Sequence, residues 1–174
     1  MYFIALLLMS LVSVGAHQVF SDEPCTNPNA PIMSYHIHAL FWQMTPRSVD
    51  KAMEFQRAFY QEFELDGVEN CTFNAGDPQP DFDHICPFEV DWLPAGPFVT
   101  AQLSFFVPKA HYERAVSWTM QNKGDLDILV HPNSGCEVED HTIWAFWGGN
   151  PWAIDSTIFS CEYPGCVPAD ELQY

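Results

Sequence analysis

Two stretches with helical spacing, each flanked by strand-like runs, constrain what this chain can fold into more than any single motif. Ser34 to Trp42, SYHIHALFW, alternates as a strand does, with His36, His38, Leu40 and Trp42 on one face and Tyr35, Ile37, Ala39 and Phe41 on the other. Ser48 to Glu64 then reads as a helix with Ser48 as N-cap. Val49, Ala52, Met53, Phe55 or Gln56, Phe59 and Phe63 recur along one side of it, and Gly67 serves as its stop. Asn70 to Gly96 is the least regular part, broken by four prolines, with room for a short strand at Cys71 to Asn74. Phe98 to Val107, FVTAQLSFFV, is a strong strand. Pro108 opens a second helix, Lys109 to Lys123, that buries Ala110, Ala115, Val116, Trp118, Thr119 and Met120 and stops at Gly124. Asp127 to Val130 and Thr142 to Trp147 read as further strands. The order strand, helix, strand, strand, helix, strand matches the split βαβ, or ferredoxin-like, plan of the α+β class. It predicts one antiparallel sheet with two helices on one face, leaving the other face for a site or a second subunit.

The ends read differently. Met1 to Ala16 is a short apolar run closed by Val14-Gly15-Ala16, the pattern of a secretory signal peptide, and it is too short for a comfortable membrane span. The expected organisation is therefore a signal at 1–16, an irregular arm at 17–32, a folded domain at 33–150 and a cysteine-containing tail at 151–174, in a secreted, extracellular protein. Six cysteines fit an oxidising compartment. Cys71 with Cys86, and Cys161 with Cys166, are pairings that would each close a loop. Asn70-Cys71-Thr72 is an N-glycosylation sequon, expected at the surface. A net charge of −17 argues against nucleic acid and anionic membrane surfaces as partners, since phosphate binding needs clustered Lys and Arg.

Chemistry concentrates in Leu126 to Gly149, LDILVHPNSGCEVEDHTIWAFWGG, which places His131, His141, Glu137, Glu139 and Asp140 in a turn-rich segment between strands. His84 and His111 read as solvent-exposed. His17, first after the expected cleavage, could chelate copper through its amine and ring, though an accident of cleavage is the simpler reading. His36, His38, His131 and His141 all lie in or beside strands. Each alone is more simply a hydrogen-bonded structural residue. Together they suggest a metal site, because neutral imidazole is a preferred ligand of iron, copper and zinc. Glu137 and Glu139 fit a solvated acidic loop, while Asp140, next to His141, is the better candidate to orient a ligand histidine.

These residues carry a resemblance. YHIHALFW at Tyr35 to Trp42, WTMQNKGDLDILVHPNSG at Trp118 to Gly135 and DHTIWAFWGG at Asp140 to Gly149 are similar, in order and spacing, to the signature stretches of the DOPA 4,5-dioxygenase family. The resemblance covers roughly Tyr35 to Gly149. It implies a compact ferredoxin-like domain, often paired as a homodimer, that cleaves a catechol ring with O2 at a metal, Fe(II) or another divalent ion. On the matching positions it makes His38, His131 and His141 the metal ligands and His36 the catalytic acid/base or a fourth ligand, roles that could permute within the set. Two departures stand out. The family's Gly-Pro-His-Pro is here Gly96-Pro97-Phe98-Val99, which removes a histidine, and its Asn-Arg-Gly is Asn122-Lys123-Gly124. The resemblance thus implies a secreted ring-cleaving dioxygenase acting on a DOPA-like or other catechol. Phe98 keeps open the alternative of a non-catalytic extracellular protein that retains the fold and binds a metal or an aromatic ligand.

Overall fold

The computed structural model describes residues 30–72 and 83–159. The expected signal peptide, His17 and the Cys161–Cys166 pairing lie outside them. The element order is β1 (Ser34–Phe41), α1 (Pro46–Phe63), β2 (Cys86–Pro87), β3 (Ala101–Pro108), a 3-10 turn (Lys109–His111) leading into α2 (Tyr112–Asn122), β4 (Asp127–Asn133), α3 (Glu137–His141) and β5 (Phe146–Gly148), with a last 3-10 turn at Ser156–Phe159. The strands form one sheet in the order β2-β3-β1-β4-β5, and every neighbouring pair is antiparallel. The first four strands follow the ferredoxin-like order, and β5 is added along the β4 edge.

β1 is the centre of the sheet, and its alternation decides what each face becomes. Ile37, Ala39 and Phe41 point toward α1 and α2, where they join Leu103, Phe105 and Val107 of β3, Ile128 and Val130 of β4, and Ala52, Phe55, Phe59 and Ala115 of the helices. Phe59 stacks on Phe105 with ring centroids 3.8 Å apart. The opposite face carries His36 and His38, paired across β1–β4 with His131 and Leu129. A second apolar cluster of Leu40, Phe98 and Leu129 lies on that face, covered by Ala145, Trp147, Trp152 and Ile154.

Several local expectations shift. α1 starts at Pro46 rather than Ser48, because proline's fixed φ suits the first helical position. Thr45 is the N-cap residue, and the Ser48 hydroxyl instead accepts from the Trp42 N–H. The helix ends before Gly67: Glu64 takes the left-handed conformation, φ 56°, as C-cap. Pro108 closes β3 and does not open α2, which begins only at Tyr112 after the 3-10 turn. β4 runs to Asn133, past the expected end at Val130. Pro132 is tolerated there because β5 stops opposite Val130, so no ladder bond is asked of its nitrogen. The strand expected at Thr142 to Trp147 is only Phe146–Gly148, and the acidic turn before it is α3. Residues 151–159, assigned to the tail from sequence, pack on the sheet: Phe98 bridges to Ile154, and the Asp155 N–H donates to the Pro97 carbonyl at 2.8 Å.

Cys71 and Cys86 form a disulfide, and the Cys71 N–H donates to the Pro87 carbonyl at 2.8 Å. The link ties the chain after α1 to β2 at one sheet edge. Cys136, just before α3, is disulfide-bonded as well. Asn70 is exposed beside the Cys71–Cys86 bridge. No helix among the described residues is long and apolar enough to cross a membrane.

Candidate metal centre

Strand alternation and antiparallel register bring His36, His38 and His131 to one place on the face away from α1 and α2. Their ligating nitrogens lie within 4.8 Å of one another, and all three side chains are buried. The register makes this unavoidable: His36 sits directly opposite His131, and His38 follows two residues later on the same face. Ring centroids are 5.0 Å apart for both His36–His131 and His38–His131.

The hydrogen bonds settle which nitrogens face inward. Gln102, beside His38 on β3, donates from Nε2 to Asp91 Oδ2 at 3.0 Å, which turns its Oε1 toward His38. His38 Nδ1–H then donates to Gln102 Oε1 at 2.5 Å. The amide cannot easily flip, because Asp91 and Gln102 are also joined by two backbone bonds of 2.9 Å. His131 Nδ1–H donates to the Pro132 carbonyl at 2.8 Å. A neutral imidazole has one N–H, so both Nε2 atoms present lone pairs, and they face each other at 3.0 Å. Two lone pairs at that distance repel unless a cation lies between or beside them. A bridging proton would make one ring an imidazolium. Burial opposes that at His131 and, with His141, His36 and His38 close by, holds its pKa well below the usual imidazole value. A divalent metal would face the same burial, offset by direct coordination to three neutral imidazole nitrogens. Nitrogen donors bound at about 2.1 Å in adjacent octahedral positions sit about 3.0 Å apart. The donor set therefore fits a metal ion on an observation independent of any resemblance.

The structure groups His36, not His141, with His38 and His131. His141 lies on α3 and packs its ring against His131, with centroids 3.9 Å apart. Its Nδ1–H donates to the Glu137 carbonyl at 2.9 Å, one helical turn back. Asp140 does not bond a histidine. Its Oδ2 accepts from the Ser134 N–H at 2.8 Å and its Oδ1 from the Ser134 hydroxyl at 2.7 Å, so it closes the turn between β4 and α3 and places His141 indirectly. Burial pushes Asp140 up to about 6, with the Ser134 bonds pulling the other way. Glu137 is less solvated than its turn-like sequence suggests: burial, reinforced by Asp140, raises it to about 7.

Phenylalanines wall the cluster. Phe98 lies 4.6 Å from His38, Phe88 5.2 Å from His36 and Phe159 4.8 Å from His141, centroid to centroid. Phe98 thus stands at the histidines themselves, which makes the departure seen in the sequence a change in the site. Sequence reasoning missed Gln102 and Asp91. A glutamine on a strand carries no signal until its register partner is known, and Asp91 was one of many acids in an irregular stretch. His84 is exposed, as expected, and His111 is half-buried, its Nε2 2.9 Å from the Asp83 carbonyl.

A DOPA 4,5-dioxygenase of Amanita muscaria is 26% identical over 170 residues, covering 94% of this chain and 68% of the relative. A solved structure from Nostoc punctiforme, described as a candidate dioxygenase, superposes with a TM-score of 0.54 at 23% identity over 71% of this chain and 88% of its own, a likeness of fold alone. Residues 35–158 match the Dopa 4,5-dioxygenase family, a span that contains all four histidines, Gln102 and Asp91, and this chain belongs to that family.

Proposed function

We propose that this chain is a secreted, metal-dependent extradiol dioxygenase that opens the ring of a catechol, with Fe(II) as its metal. The observation that carries the reading is the pair of inward Nε2 lone pairs of His38 and His131, 3.0 Å apart, with His36 completing a three-nitrogen set. Iron held by these three would supply Lewis acidity to the diol and the redox chemistry that O2 requires. The remaining work belongs to the chain. Gln102, backed by Asp91, keeps the proton of His38 on Nδ1 and so keeps Nε2 available. The Pro132 carbonyl does the same for His131. His141, with its Nδ1–H tied to the Glu137 carbonyl, would take a catechol proton and return it. Phe88, Phe98 and Phe159 keep water from the rings they touch. In the overall reaction the ring bond beside the diol breaks and both atoms of O2 enter the product, a semialdehyde bearing a carboxylate.

Export is supported by the apolar segment at 1–16 and the Cys71–Cys86 disulfide, which persists in oxidising compartments. Asn70, exposed in its sequon, would carry the glycan. Sequencing the N-terminus of protein recovered from the medium of a eukaryotic host tests this; a chain still beginning at Met1 would refute it.

One observation favours a second reading. Phe98, buried against His38 where the family pattern has histidine, fits a protein that binds a metal or an aromatic ligand without turnover. Purified chain loaded with Fe(II) under air and mixed with catechols separates the two. A yellow semialdehyde product is expected. No absorbance change with any catechol, from a sample shown to contain iron, would sink the enzymatic reading and leave the binding one.

A further inference from the structure

The chain has six lysines and arginines in all, and none of them makes a hydrogen bond, ion pair or ring contact recorded with His36, His38, His131 or His141. Arg47, Lys51 and Arg57 belong to α1, on the helical face of the sheet. Arg114 on α2 pairs with Glu62 at 2.9 Å and lies over the Phe63 ring. Lys123, the C-cap residue of α2, donates to the carbonyls of Gly124 and Leu126. Lys109 is exposed on the 3-10 turn leading into α2. The charged side chains on the histidine side are of the other sign. Glu137, Glu139 and Asp140 make up most of the five-residue α3 that carries His141, and Asp91 lies behind Gln102.

We infer that the substrate is a catechol whose side chain carries no carboxylate: an alkyl- or aminoalkyl-catechol rather than an amino acid or a catechol acid. The inference rests on the ring-cleaving reading above and narrows it. A carboxylate taken out of water needs a cation or several donors to be tolerated, and close carboxylates of like sign add to the cost. An alkyl chain is at home against Phe88, Phe98 and Phe159. A protonated amine gains from the same rings, whose faces attract cations, and from the carboxylates of α3. The net charge of −17 acts in the same direction during encounter.

Two matched pairs test this: dopamine against L-DOPA, and 4-ethylcatechol against 3-(3,4-dihydroxyphenyl)propanoate, each pair differing by one carboxylate. Binding is read as Kd by titrating each into the zinc-loaded full chain, where the redox-inert ion allows binding without turnover. Ring cleavage by the iron-loaded chain is measured with the same compounds. Within each pair the carboxylate-free member should bind at least about tenfold tighter, and the gap should narrow as added salt screens it. Equal or tighter binding of either carboxylate-bearing member overturns the inference. If the order of affinities holds and nothing is cleaved, the ring-cleaving reading fails while the inference on ligand charge stands. If the carboxylate members bind and are cleaved as well as their partners, the reverse is true. Failure of all of them to bind overturns both.

Discussion

The two faces of this sheet are made from the same strands, residue by alternate residue, and both are buried. On one, Ile37, Ala39, Phe41, Leu103, Phe105, Val107, Ile128 and Val130 are all apolar and pack against helices whose fully buried residues include a single polar one, Thr119 of α2. On the other, His36, His38, Gln102, Ser104 and His131 are as inaccessible as those apolar neighbours. Burial therefore does not tell core from site in this fold. What tells them apart is the cost each face imposes. Apolar atoms gain from leaving water, whereas imidazoles and amides must find partners or lose free energy. The face that holds the histidines is thus maintained against stability, and the helical face supplies what it lacks.

The contrast can be broken from either side. Phe105→Ala, which empties the space beneath Phe59, should cost about 3–5 kcal/mol of unfolding free energy. Chemical denaturation measures it, and a loss below about 1 kcal/mol would mean that the helical face is not the source of stability. His131→Leu should act the opposite way. Metal binding should be lost, while the metal-free protein unfolds at an unchanged or higher denaturant concentration, since a buried polar ring is exchanged for an apolar group. Marked destabilisation of that variant would place His131 in the structural core.

Smaller changes sharpen the comparison within the site. Gln102→Leu removes the acceptor that holds the His38 proton on Nδ1, and metal affinity should fall about 10–100-fold. A competitive chelator titration reads this, and Gln102→Asn, with its amide too far back, should not restore it. Asp91 tests the pH response. Burial raises its pKa, with the Gln102 bond opposing, so the folded chain holds the proton more tightly than the unfolded chain does. Its contribution favours folding at low pH and is lost as pH rises above about 4, the ordinary carboxyl range. Asp91→Asn should flatten that part of the stability profile, and an unchanged slope would remove Asp91 as its source. Smallest and most distant is Glu64→Gly. Glu64 is the non-glycine residue with positive φ among those described, and relieving it should add up to about 1 kcal/mol without altering metal affinity.

Much of the fold was legible because β1 and α1 have long, clean periods. The assignment of His36 and His38 to one face and Ile37 and Ala39 to the other needed only alternation. The failures share a cause: elements too short to show a period. α3 spans five residues and β2 two, so their sequences look like an acidic turn and a proline-rich loop. Pro132 hid the end of β4, because a proline inside a strand is permitted only where a neighbour stops, and where β5 stops is a tertiary fact. At the site, the four histidines were visible as residue types. The register decided which of them meet, and it brought His36 to His131 and set His141 against their flank on α3. Gln102 carried no signal alone, because its function exists only between Asp91 and His38.

The direct pairing of His36 with His131 has a consequence for how errors are handled. A strand slipped by one residue would send the histidines into the helical layer and Ile37 or Val130 out to the opposite face. Such a chain would lose its hydrophobic packing and its ligand set in the same step. A well-folded molecule with a scrambled centre is thus excluded by construction, and any quality control that recognises exposed apolar surface also screens, without reference to metal or substrate, for a correctly assembled site.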